Sequence, residues 1–302
     1  GLRWVRRRSH SPISLQQVES DYHFNFNLIL GCMKHIAAVL LMIGLIGACA
    51  TRPDPIASLQ SLNWIDLTHS FDSSTLFWPN NPEGFTHPEQ FAGKTPLGYY
   101  YSSYTYSAPE HGGTHLDAPI HFAEGRLTSD ELPLDRLTGA AVVIDVSDTA
   151  LVNRDYQVSV AALEKWEASH GRIPDNTIIL FMTGYSRFYP DRLNYFGTDL
   201  RGNEAISQLH FPGISTEAAT GMTTQRIVKA VGIDTPSLDH GQSKNFSTHQ
   251  VLMGADVPGF ENVTNLDQLP AAGLFIVALP MKIRGGSGGP LRIIAAVPAT
   301  GQ

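Results

Sequence analysis

The stretch EHGGTHLDAPIHF, running from Glu110 to Phe122, sets the reading of the whole chain. It places His111, His115, Asp117 and His121 among Gly112, Gly113 and Pro119. A His-x-x-x-His pair on a helix would be the arrangement of a zinc protease, but the glycines and the proline disfavour a helix here. All four polar residues fall at odd positions, so in extended backbone they project from one face. A straight strand would keep them apart, and the glycines and proline must curl it. Imidazole and carboxylate ligands suit zinc and tolerate manganese or iron. Asp117 stands in the middle, and its two oxygens allow it to bridge two ions. A polar loop with locally bonded histidines is the competing reading. It fits a single histidine better than three around an aspartate.

Outward from this stretch, helical and strand patterns interleave. Residues 63–69, 97–107, 140–147, 177–184, 228–234, 273–280 and 290–298 read as strands, the third and fourth as buried ones. Residues 159–171, 214–226 and 248–256 read as helices, with Ser159 a candidate N-cap and Gly171 a candidate C-terminal stop. No internal repeat, low-complexity tract or long polar linker divides the body. The expectation is an α/β fold in a single domain over residues 61–302, with a mixed sheet flanked by helices.

Hydrophobic residues make up 42% and charged residues 16% of the 302, which suits a protein with a substantial core. The formal charge is −7, and it becomes −10 once residues 1–49 are set aside. An acidic body of this kind argues against nucleic-acid binding. The two cysteines, Cys32 and Cys49, both precede the body, so any metal there is held by His, Asp or Glu.

Residues 33–49, from MKHIAAVLLMIGL onward, have the grammar of a secretory signal: Lys34, then an apolar run too short to span a bilayer comfortably. Their ending, LIGAC, is like a lipobox. This places the protein on the periplasmic or cell-surface side of a bacterial membrane, lipid-anchored through Cys49, with no other membrane contact. Residues 1–32 read as a disordered upstream extension and 50–60 as a tether.

The motif HGGTHLDAPIHF resembles the signature of the cyclase family, which includes bacterial kynurenine formamidases and isatin hydrolases. VGIDTPSLD (231–239), STHQVLMGADVPGFENVTNL (247–266) and LPMKIRGGSGGPLR (279–292) resemble later blocks of that family, so the likeness spans roughly residues 60–300. It implies two divalent ions, zinc first and manganese second. His111, His115 and Asp117 would hold one; Asp117 would bridge to another held by His249, with Glu261 near both. His121 would be the catalytic acid/base. Trp78, in FWPNNP, stands where formamidases carry a Trp-Pro against an aromatic substrate; simple packing is the other reading. The glycine-rich RGGSGGP (284–290) lacks a phosphate-loop ending and brings backbone close either to the site or to a partner subunit. His69, His87, His170, His210 and His240 read as ordinary structural histidines.

The implied activity is hydrolysis of a small amide: an aryl formamide such as N-formylkynurenine, or a cyclic amide such as isatin. An export signal sits better with a scavenged amide or lactone than with a cytosolic intermediate. The alternatives are a lactone hydrolase and a lipid-anchored metal-binding protein without turnover. A homodimer or larger homo-oligomer is expected.

Overall fold

The computed structural model describes residues 55–81 and 83–299. The chain divides into two units, residues 1–60 and 61–302, each taken by itself. Of the first, the described part is a short helix, Pro55–Gln60. The expected leader, lipobox and Cys49 lie outside the described residues. Among the described residues no helix is long and apolar enough to cross a membrane.

The second unit contains strands β1 (Leu62–Asp66), β2 (Glu89–Lys94), β3 (Tyr100–Tyr104), β4 (His115–Asp117), β5 (Thr138–Asp145), β6 (Gln157–Val158), β7 (Ile178–Met182), β8 (Gly213–Ile214), β9 (Ala230–Ile233), β10 (Gly259–Glu261), β11 (Leu274–Pro280) and β12 (Gly288–Pro298). Eight of them form one sheet in the order β1-β12-β11-β5-β7-β9-β10-β4, and β12 also pairs with β4. That extra pairing closes the sheet into a barrel. The first three residues of β12 pair with β4, and the remainder pair with β11 and β1. β5, β7, β9 and β10 run parallel to their neighbours in that series, whereas β11, β12 and β4 pair antiparallel. The sheet is therefore mixed, as the interleaved sequence pattern implied.

Period-two alternation sorts side chains to the two faces. Ala141 and Val143 of β5, Ile178 and Leu180 of β7, Leu116, Phe260, Ile276 and Ile293 fill the interior. Val142, Ile144, Ile179 and Phe181 face outward against helices α1 (Val160–His170), α2 (Thr216–Thr224) and α3 (Ser247–Gly254). Burial on both faces explains why these strands read as continuous apolar runs. Trp166 of α1 is anchored by its indole N–H, which donates to the Val143 carbonyl at 3.0 Å. Ser159 occupies the N-cap of α1 without a side-chain cap bond, while Ser215 caps α2 by accepting from the Ala218 N–H. Gly171 ends α1 at φ +86°, the stop its position suggested.

The 97–107 segment is a shorter strand than its composition suggested. β2 and β3 form a hairpin whose turn begins at Thr95: the Gly98 N–H donates to the Thr95 carbonyl, and Gly98 takes φ +89°. Pro96 and Gly98 are the residues such a turn requires, and they break the run before Tyr99.

Candidate metal centre

β4 lies between β10 and β12. Its register with β10 sets His115 opposite Glu261 and Asp117 opposite Gly259; on the other side Gly288 is opposite Asp117. Leu116 and Phe260 point into the barrel and are fully buried. Alternation therefore sends His115, Asp117 and Glu261 to the outer face. There α3 brings His249 over them. The sequence left Glu261 in a loop-like setting; it is the last residue of a three-residue strand.

His111 reaches the same place through the two glycines. Gly112 has φ +151° and Gly113 φ +56°. A Cβ on Gly112 would stand 2.1 Å from the Phe77 ring, and one on Gly113 would stand 2.6 Å from Phe71. Only glycine accepts both the backbone and the close approach. The bend brings His111 Nδ1 to 2.6 Å from Asp117 Oδ1. The expected curl is thus real: the curled segment leads into a short strand at His115–Asp117 and then a 3₁₀ turn at Pro119–His121.

Two ligand sets share Asp117. His111, His115 and Asp117 offer donor atoms within 4.8 Å of one another, and so do Asp117, His249 and Glu261. His249 Nε2 is 3.2 Å from Asp117 Oδ2 and 3.1 Å from Glu261 Oε1, and His115 Nε2 is 3.4 Å from Glu261 Oε2. The donor chemistry fits a divalent ion in each set. His115 turns Nδ1 to the Gly113 carbonyl at 3.0 Å, and His249 turns Nδ1 to Asp239 at 2.6 Å, so each aims Nε2 inward. A ligand imidazole is held at its far nitrogen in this way.

The electrostatics are those of a dense buried cluster. Burial pulls His115 down, but Asp117 and Glu261 more than reverse this and raise it to about 9. His249 is raised well above its usual value against the same desolvation by Asp117, Asp239 and Glu261. Asp117 resists desolvation because His111 and the other imidazoles hold it well below the usual carboxylate range. Glu261 is raised, first by burial and then by the Asp117 charge. Two ions would relieve this system by taking the place of the protons the imidazoles carry.

His121 belongs to neither ligand set. Its ring stacks on His111 with centroids 3.8 Å apart and planes at 18°. Burial pushes it down to about 4, so it is a neutral imidazole at physiological pH. It lines a cavity of about 240 Å³ that opens over the ligand sets. Leu76, Phe77, Trp78, Phe122, Phe196 and Phe246 form the apolar wall. Trp78 meets Phe246 and Phe211 edge-on at 6.1 and 6.3 Å, so it both packs and lines the cavity. Among the described residues no lysine or arginine lines it.

Residues outside the two ligand sets complete the site. Asp239 accepts the Thr248 and His249 N–H groups as well as His249 Nδ1, and so caps the start of α3 from the loop that leads into it. The N-cap position itself is Phe246, in the left-handed region at φ +49°. A local cap signal was therefore not there to be found. Asn262 joins the scaffold: its Nδ2 donates to the Gly113 carbonyl and its Oδ1 accepts from Tyr195. The histidines read as structural lie elsewhere: His210 pairs with Asp155, His170 contacts the Trp166 carbonyl, and His87 and His69 stack on Tyr104 and Tyr189.

The chain belongs to the cyclase family, whose model ("putative cyclase") matches residues 65–240. It is 30% identical over 247 residues to the isatin hydrolase of Roseibium aggregatum, covering 75% of this chain and 91% of that protein. It is 27% identical over 239 residues to the kynurenine formamidase of Salinibacter ruber, covering 76% and 95%. Among solved structures, isatin hydrolase A from Ralstonia solanacearum superposes with a TM-score of 0.72 at 31% identity, covering 82% of this chain and 99% of that one.

Proposed function

We propose that the protein is a metal-dependent hydrolase of a small, uncharged aromatic amide, either a cyclic amide such as isatin or an aryl formamide. The observation that carries this reading is His121. It stands at the cavity wall against the ligand sets, half-buried and neutral, yet outside both. A protein that only stores metal has no use for such a group, whereas a hydrolase needs a proton carrier beside the leaving atom. The similarity to isatin hydrolases and kynurenine formamidases supports the same class. Among the described residues the lining holds histidines of the ligand sets but no lysine or arginine to pair with an amino-acid carboxylate, which supports isatin-like amides over N-formylkynurenine.

Two divalent ions, zinc or manganese, would be held by His111, His115, Asp117, His249 and Glu261; bound, they acidify a water and polarise the scissile carbonyl. The aromatic wall holds the aryl ring and excludes bulk water. His121 takes the proton released as water adds to the carbonyl carbon, then gives it to nitrogen as the C–N bond breaks. The amide becomes an acid and an amine, and the histidine ends as it began.

The test is product release from isatin, aryl formamides and lactones by the purified full chain, with and without a chelator. Chelator-sensitive turnover of the amides is expected. Turnover indifferent to chelation would sink the metal mechanism, and turnover of lactones alone would move the assignment to an ester class.

The exported, lipid-anchored location is part of the proposal and rests on residues 33–49. Replacing Cys49 by alanine should stall processing or release the protein from membranes; unchanged size and retention would refute the anchor. A homodimer or larger assembly is proposed too, supported by the exposed aromatic side chains of the β2–β3 hairpin, Tyr100, Tyr101 and Tyr104 among them. Sedimentation velocity decides it, and a monomer at micromolar concentration would refute it.

A further inference from the structure

We propose that Ser287 and Glu110 form a relay that fixes the tautomer of His111, so that His111 presents Nδ1 to the metal centre while His115 and His249 present Nε2. The proposal rests on the metal-dependent reading above and adds positioning residues to it. The Glu110 carboxylate accepts twice through Oε2, from the Ser287 N–H at 2.9 Å and from the Ser287 hydroxyl at 2.7 Å. A hydroxyl has one proton, and here the carboxylate takes it. Ser287 Oγ is also 2.8 Å from His111 Nε2. With the hydroxyl proton committed to Glu110, the imidazole is the donor in that contact. With a proton on Nε2, His111 keeps Nδ1 for the centre; Nδ1 lies 2.6 Å from Asp117 Oδ1, a contact that needs a proton or a cation between the two atoms.

The other two ligand histidines are held the opposite way round. His115 and His249 each donate from Nδ1, to the Gly113 carbonyl and to Asp239, and both turn Nε2 to the centre. His111 is also the most exposed of the three, 21% against 3% for each of the others, so packing restrains it least. A hydrogen-bonded clamp is what such a ligand lacks otherwise.

The loop that carries Ser287 is shaped for this contact. A Cβ on Gly288 would stand 2.6 Å from His111 Cε1 and 2.4 Å from the Leu116 carbonyl oxygen, and one on Gly286 would stand 3.0 Å from Glu110 Oε1. The Ala118 N–H donates to the Ser287 carbonyl at 2.8 Å, which ties the loop to the motif strand. The composition of RGGSGGP thus has a local cause: its backbone runs against His111 and Glu110, and its one hydroxyl faces the imidazole.

Two measurements test the relay. In the zinc-loaded full chain with ¹⁵N-labelled histidine, long-range proton–nitrogen correlation should show one ligand histidine bound through Nδ1 and two through Nε2. In zinc titrations against a competing chelator, Ser287→Ala should weaken one ion about 10- to 100-fold and leave the other unchanged, while Ser287→Thr, which keeps the hydroxyl, should stay near the wild type. Three Nε2 ligands, or an alanine variant that holds both ions like the wild type, would overturn the relay and leave the metal-dependent reading standing. A wild-type chain that binds no zinc would overturn both. The correlation experiment uses unaltered protein, so it decides even if a variant fails to fold.

Discussion

His115 on β4 and Glu261 on β10 face each other across an antiparallel register, with Nε2 and Oε2 3.4 Å apart, although 146 positions separate them in the chain. Asp117, two residues along the same face, reaches His115 with Oδ1 and His249 with Oδ2, each at 3.2 Å. The cross-strand register makes one cluster from a contiguous motif and a remote glutamate.

Asp117 is the one residue common to both ligand sets. Asp117→Asn keeps the shape and removes a charge that would offset the two divalent ions proposed above. It should lose at least one ion and lower activity by about 100-fold or more while circular dichroism stays native. Asp66→Asn is the control. Asp66 pairs with Arg292 at 2.7 Å on the exposed surface, where such pairs contribute about 1 kcal/mol or less. Retention of both ions by Asp117→Asn, measured by elemental analysis, would remove its bridging role.

On the proposed mechanism His121→Ala removes a proton carrier and no ligand, so it should leave the ion content unchanged and reduce kcat by roughly 10²- to 10⁴-fold. If the variant sheds metal in proportion to its lost activity, His121 is a ligand instead.

His115 is raised to about 9 in the metal-free cluster, so it carries a proton at pH 7 that an incoming ion displaces. Zinc affinity should climb about tenfold per pH unit for each proton displaced between pH 7 and 9. Calorimetry in buffers of different ionisation enthalpy reads the released protons directly. Binding heats independent of the buffer would contradict the coupling.

His69 is held down to about 4 by burial, with Nε2 buried and unpartnered and the ring stacked on Tyr189 at 3.9 Å. The unfolded chain takes up this proton near its ordinary 6.5, whereas the folded chain resists until about 4. Its effect is therefore absent above pH 6.5, and stability is lost progressively as pH falls from 6.5 to 4, by roughly 3 kcal/mol at most. His69→Phe keeps the stack and removes the titration. In metal-free urea unfolding it should lose less stability than the wild type between pH 7 and pH 4.5. Parallel pH curves would show that His69 has no part in acid sensitivity.

Much of this protein is written in local sequence. Unbroken apolar runs in residues 140–147 and 177–184 marked strands buried on both faces, and Ser159 and Gly171 marked the two ends of α1. The odd-numbered spacing of His111, His115 and Asp117, with two glycines between the first pair, encoded both a shared face and a bend. These features depend on backbone geometry within a few residues, which composition and spacing determine. The convergence of His249 and Glu261 on that face was reachable only through resemblance, because a lone histidine and a lone carboxylate carry no local sign of their register. Tertiary structure alone decided the rest. The extra β12–β4 pairing closes the barrel and swings the glycine-rich loop against His111. Asn262 reaches the Gly113 carbonyl across 149 positions, and Glu110 reaches Ser287 across 177. Hydrogen bonds between segments so far apart in the chain follow from how the sheet closes and how helices pack on it, and no window of sequence contains both partners.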